Sequence, residues 1–309
     1  MPHGLDHIVH AVRDLNAAGE FYRRAGFNVG ARNRHPWGTH NRIVQLKDCF
    51  VEILEIAEPE KIAPHGGRSF SFGAFNRDFL KDRQGLSMLI LASRDAVADG
   101  RSFEAAGISN SDVLDFAREG KRPDGTPVKL AFSLAFAADP ISPNLGFAVC
   151  QQHFPENFWD PAFQIHANGA RRVPGVVMVA DNPSDHHIFL KAFSGVSDLH
   201  STSIGICART GNGDIEIMEP VAFRDQFAIS PEVSGEGMTL NAVRFEVADI
   251  GKAETALRAN GIAAERHVGR LVVPPDLAYG ATLIFEAAKK IDPPSLDRHG
   301  PRDNRNGNL

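Results

Sequence analysis

The sequence has little with which to build disulfides, bind nucleic acid or cross a membrane. Three cysteines stand among 309 residues. They are odd in number and lie in strand-like apolar runs at Cys49, Cys150 and Cys207, which argues for reduced, buried thiols rather than a disulfide framework. Basic residues are not in excess: 33 Lys and Arg against 38 Asp and Glu leave a net charge of -5. That balance offers no basic face for a nucleic-acid partner. No apolar run approaches the roughly 20 residues needed to span a bilayer. The first residues lack the charged-then-apolar pattern of a secretory signal, so a cytoplasmic location is expected. The last stretch, 292–309, has almost no apolar content and is expected to be a mobile tail.

What is present is repetition. LDHIVHAVRDLNAAGEFYRRAGFNV begins at Leu5, LSMLILASRDAVADGRSFEAAGI at Leu86 and LNAVRFEVADIGKAETALRANGI at Leu240. PGVVMVADNPSDHHIFLKAFSGV, from Pro174, is a looser copy. Each opens with an apolar strand, reaches an Asp, runs through an amphipathic helix and stops at a Gly. Asp14 to Gly26, Asp95 to Gly107 and Asp249 to Gly261 have the same spacing, and Asp181 to Gly195 is slightly longer. The Asp can cap the helix, and the Gly can end it in the left-handed region. Further strand-like runs follow each helix, at 42–46 and 49–56, 128–136 and 146–153, 203–208 and 214–219, and 269–273 and 281–287. The reading is an α+β chain of four βαβββ modules. Residues 58–84, without clear periodicity, read as a long connection.

These residues carry a family resemblance. The four module starts, together with the Gly38-Thr39-His40-Asn41 segment, resemble the vicinal oxygen chelate superfamily of glyoxalases and extradiol dioxygenases. The resemblance covers roughly residues 4 to 290. It implies two tandem glyoxalase-like domains, 4–156 (modules one and two) and 173–290 (modules three and four). It also implies one divalent metal ion (Fe, Mn, Ni or Zn) bound by side chains from first and last strands, with positions left open for substrate.

In the family the first-strand ligand lies seven residues before the helix-capping Asp. Counting back gives His7, Met88, Pro174 and Ala242, so only the first module keeps a metal-type residue. The last strand of module one offers Glu52 or Glu55, with Glu52 nearer the family's acidic position. The competing partner for Glu52 is Arg42, in a structural ion pair. The last strand of module two has no acid but carries Gln151, Gln152 and His153. The metal ligands implied are His7, Glu52 and His153. Substrate contacts are expected from Asn41, Gln151 and Trp159, and His40 is the candidate base. In the second half Glu286 stands alone, and that cup is expected to be filled by Val176, Met178 and Phe245. That half is expected to pack, dimerise or shape the pocket, so a homodimer is one arrangement left open.

Two functions follow as expectations. The first is a metal-dependent enzyme whose N-terminal domain chelates vicinal oxygens of a small organic substrate, by isomerase, lyase or dioxygenase chemistry. The alternative is a metal-free protein that binds or sequesters a small molecule in the same cup. The missing ligands of module two favour the alternative.

Overall fold

Each apolar strand that ends in an Asp hands over to a helix which that Asp caps. The carboxylate of Asp14 accepts the backbone N–H groups of Asn16 and Ala17, that of Asp95 accepts Ala98, and that of Asp249 accepts Gly251 and Lys252. In the looser copy the cap is Asn182, which accepts Ser184 at the head of a 3-10 turn before the helix. Gly26, Gly107, Gly195 and Gly261 close these helices with φ between +67° and +85°, where a side chain would clash with its own backbone.

The computed structural model describes residues 2–109, 111–121, 125–233 and 237–288. Module one is β1 (Leu5–Ala11), α1 (Leu15–Arg24), β2 (Asn33–Arg34), β3 (Thr39–Leu46) and β4 (Cys49–Ile56). Helix α2 (Phe72–Asp82) follows. Module two is β5 (Gly85–Ala92), α3 (Ala96–Ala105), β6 (Leu114–Lys121), β7 (Pro127–Ala137) and β8 (Gly146–Gln152). After the short α4 (Pro155–Phe158), module three is β9 (Ala170–Val179), α5 (His187–Ser194), β10 (His200–Thr202), β11 (Gly205–Arg209) and β12 (Asp214–Met218). Helix α6 (Pro220–Phe227) precedes module four: β13 (Thr239–Val247), α7 (Ile250–Ala259), β14 (Glu265–His267), β15 (Arg270–Val273) and β16 (Thr282–Ala287). The expected α+β fold of four βαβββ modules, paired two and two, is the one observed. Three expectations need correcting or qualifying. Residues 58–84 contain α2, started by the Ser71 side chain, which accepts Ala74 N, and anchored by buried Phe72 and Phe79. The edge strands β2, β6, β10 and β14 went unread, because their solvent-facing residues break the apolar pattern. The tail 292–309 lies outside the described residues.

In every module the first strand runs parallel to the last: β1 with β4, β5 with β8, β9 with β12 and β13 with β16. Modules then join through antiparallel first strands, β1 with β5 and β9 with β13. One pair, Leu240 with Leu86, links the two halves into a continuous sheet. A single core cluster also runs through both. Phe27 packs 4.9 Å from Phe245, and Phe147 packs 4.7 Å from Phe189. On the opposite face of each half, a separate and smaller apolar cluster lines the concave side.

Candidate metal and ligand site

The parallel pairing of β1 with β4 sets His7 beside Phe50 and Val9 beside Glu52. The His7 ring stacks on Phe50 with centroids 4.4 Å apart. Its Nδ1 lies 2.6 Å from Asp6 Oδ2, and Asp6 Oδ1 accepts Gln152 Nε2 at 2.7 Å. A carboxylate can only accept, so Nδ1 carries the proton and Nε2 presents its lone pair to the cavity. Glu52 Oε2 stands 3.8 Å from that Nε2. Glu52 Oε1 accepts Asn41 Nδ2 at 2.6 Å, and Asn41 Oδ1 accepts Asn33 Nδ2 at 3.0 Å.

A second imidazole completes the group. His35 Nε2 is 3.8 Å from Glu52 Oε1, and its Nδ1 is 2.8 Å from Thr39 Oγ1. Burial holds the His35 pKa below its ordinary value against the pull of Glu52, with Arg118, His40 and His7 adding to the depression. His35 is therefore neutral at pH 7, the form in which imidazole donates a lone pair. Nothing in the sequence marked His35, which lies on a turn ahead of the Gly38–Asn41 segment. Only the closing of β2 onto β3 turns it inward.

The aromatic rings Trp37, Phe50, Phe72, Phe116, Phe132 and Phe158 wall the cavity that His7, His35, Asn41 and Glu52 line, and Arg118 and Cys150 also face it. Its volume is about 70 Å³. Among the described residues, module two contributes no acid or imidazole to it. Met88, fully buried, fills the position opposite Val9, and a Cβ on neighbouring Gly146 would meet it at 2.6 Å. Burial pushes the Cys150 thiol well above its ordinary range, and Asp6 and Glu52 push it further. It therefore stays protonated at neutral pH.

The other candidate residues lie elsewhere. His153 is exposed, beyond the end of β8, with Nε2 2.7 Å from Ser133 Oγ, which donates to Asp115. Gln151 faces away from the cavity and accepts the N–H of Ala96 at the head of α3. Trp159 packs 5.0 Å from Phe158 and lines a neighbouring, more polar cavity with Gln45 and Asp160. His40 points to the opposite side of β3 from Asn41, with Arg32 on Nδ1 at 3.0 Å and Glu58 on Nε2 at 3.2 Å. Glu55 accepts the N–H of Leu15 at 2.9 Å, at the head of α1, and pairs with Arg32. Arg42 lies on that far face too, bonded to Gly30 O and Asn16 Oδ1, so it is not the partner of Glu52. Among the described residues no Lys or Arg lies within ion-pair distance of Glu52.

The donor set suits a divalent ion. The two imidazoles face different oxygens of Glu52, each at 3.8 Å, and the three donor atoms do not all lie within 4.8 Å of one another, so holding one ion would draw these side chains closer together, to donor separations of at most about 4 Å. Two imidazole nitrogens and one carboxylate leave coordination positions open.

The second half is built differently. Val177 pairs with Glu216 as Val9 pairs with Glu52, so Gly175 takes the place of His7, and Glu216 that of Glu52. The count from Asp181 had given Pro174, one residue off, because the third module is longer before its helix. The cup is filled, but not by the expected side chains: Val176, Met178 and Phe245 face the main core. Arg244 fills it instead, with Nη1 2.9 Å from Glu216 and Nη2 2.6 Å from Glu286. Arg270 adds a second contact to Glu286 at 3.2 Å. Cys207, Asp214 and Glu216 also have donor atoms close together there, beside a guanidinium that already neutralises Glu216.

A family model described as "Glyoxalase-like domain" matches residues 5–193. No curated protein sequence matches the chain. Among solved structures it is similar to a hypothetical protein from Staphylococcus aureus, at 13% identity and a TM-score of 0.64, over 92% of this chain and 99% of that one. It is also similar to a mutant of 4-hydroxymandelate synthase from Streptomyces coelicolor, at 12% identity and 0.56, over 93% and 92%. A xylose isomerase-like TIM barrel/4-hydroxyphenylpyruvate dioxygenase fusion protein matches at 13% and 0.54, over 94% of this chain but 49% of the other. At such identities the likeness is one of fold.

Proposed function

The chain belongs to the family of glyoxalase-like domains, and on that premise we propose that it is a metal-dependent enzyme acting on a small organic substrate in the N-terminal cavity. His7 and Glu52 would hold a divalent ion, with His35 as third donor in place of His153. The observation that carries this reading is Glu52. It is a carboxylate buried to 5% exposure, without a Lys or Arg partner among the described residues, and faced by two imidazole nitrogens at 3.8 Å. An isolated buried carboxylate is expensive, and a bound cation removes that cost.

A divalent ion there supplies Lewis acidity, stabilising negative charge on vicinal substrate oxygens. The chain's own residues do the rest. Asp6 fixes the His7 tautomer, Asn41 orients Glu52, and the aromatic walls exclude water from the reacting group. His40 has both ring nitrogens engaged outside the cavity, and we assign it no role in proton transfer.

The second reading, a metal-free binding or sequestering protein, is favoured by Met88, which leaves module two without a ligand. Elemental analysis of the purified protein separates the two. One equivalent of a transition metal, lost in His7→Ala and His35→Ala but kept in His153→Ala, supports the enzyme. Absence of stoichiometric metal after reloading with each of Fe, Mn, Ni and Zn supports the binder.

A further inference from the structure

Strand β6 alternates Leu114, Phe116 and Arg118 toward the cavity. The first two continue its apolar wall, and the third places a cation in it. Among the described residues no carboxylate lies within ion-pair distance of Arg118, and its one hydrogen bond there is a long one, 3.5 Å, to the backbone of Glu119. Burial lowers the Arg118 pKa, and the field of Glu52 raises it, yet the two groups make no contact. Arg244, the buried guanidinium of the second half, has two carboxylates instead. A second donor lies by the same wall. Trp37 packs 4.8 Å from Phe116, and its indole Nε1 is buried with no acceptor. Arg118 also borders the neighbouring, more polar cavity.

We propose that this cavity takes an aromatic carboxylate, its ring among the aromatic side chains and its carboxylate on the Arg118 guanidinium. The inference deepens the reading of the cavity as a small-molecule site and rests on it, but it does not need the metal. A planar guanidinium in a partly dry site matches a carboxylate through two parallel N–H···O bonds. A flat ring gains from the offset and edge-on contacts that the walls provide. A neutral ligand would leave the buried charge unanswered.

The test is calorimetric titration of the full-length protein with phenylacetate and with its neutral analogue phenylacetamide, before and after treatment with chelator. The wild type is expected to bind the acid at least about tenfold more tightly than the amide. In Arg118→Gln that preference should fall to within about twofold, with a thermal melt matching the wild type showing that the variant is folded. Arg118→Lys should keep part of the preference. Equal affinity for acid and amide in the wild type, a preference that survives in Arg118→Gln, or no binding of either at millimolar concentration overturns the proposal. Metal content is measured on the same samples. A preference for the acid in protein that never holds metal upholds the Arg118 assignment even as it removes the metal reading.

Discussion

Gly175 and Arg244 stand opposite one another on the paired strands β9 and β13, and the missing side chain of the first makes room for the guanidinium of the second. A Cβ at position 175 would lie 3.2 Å from Arg244 Nη1. In the first half the equivalent of Gly175 is His7. One half therefore faces its buried acid with imidazole lone pairs, and the other faces its acids with a permanent cation of its own.

Removing that cation should be severe. Arg244→Met is expected to leave Glu216 and Glu286 buried and unpaired, destabilising the protein by roughly 3–5 kcal/mol. Chemical denaturation of the variant reads this directly. A loss below about 1 kcal/mol would show that the pair contributes little.

Glu52 should behave oppositely. With no Arg beside it, Glu52→Gln is expected to leave the melt of the chelator-treated protein unchanged or raised, by at most about 1 kcal/mol, while metal retention is lost. His7→Ala should also lose the metal and stay folded. Glu55→Gln should keep the metal, since Glu55 serves the head of α1 and Arg32. If chelator leaves the wild-type melt unmoved and Glu52→Gln collapses it, Glu52 is structural.

Acid should weaken the protein through His10. Its ring is fully buried, with Nδ1 2.9 Å from the Tyr22 hydroxyl and Nε2 3.0 Å from the Tyr279 carbonyl. Burial lowers its pKa to about 4, against a partial lift from that carbonyl. The unfolded chain then binds the proton more readily, so this contribution is whole above the unfolded value of 6.5 and is lost as pH falls toward about 4. At pH 5 the loss is about 2 kcal/mol relative to neutral pH. His35 and His166 shift in the same direction, so the comparison that isolates the effect is wild type against His10→Gln. Urea titrations at pH 7.5 and pH 5 should show the variant losing less.

We propose that 4–156 and 173–290 are the two glyoxalase-like domains and that they unfold as one. The Phe27–Phe245 and Phe147–Phe189 contacts, and the Asp139–His186 bond at 2.6 Å, cross between them. Scanning calorimetry should give a single transition whose van't Hoff and calorimetric enthalpies agree. Two resolved transitions would refute a shared core.

The site was legible in part. The family resemblance points to His7 and Glu52 and the Gly38–Asn41 turn to Asn41, and strand alternation, set by neighbours along the chain, turns all three to the cavity. The same alternation misdirected Gln151 and His153. Cys150 and Gln152, not Gln151, face inward on β8, and His153 lies past the strand's end, where a period of two no longer orients a side chain.

By itself the sequence determined the four modules, their helix caps and stops, and the faces on which His7 and Glu52 lie, since each follows from short-range geometry repeated in register. Only the tertiary structure decided which side chains meet. The arrival of His35 beside Glu52, and of Arg118 on the same cavity wall, depends on how the edge strands β2 and β6 fold over the cup. The Arg244 network depends on strands brought together from distant parts of the chain. Distances between such strands are set by sheet curl and packing of the whole core, which no local pattern encodes.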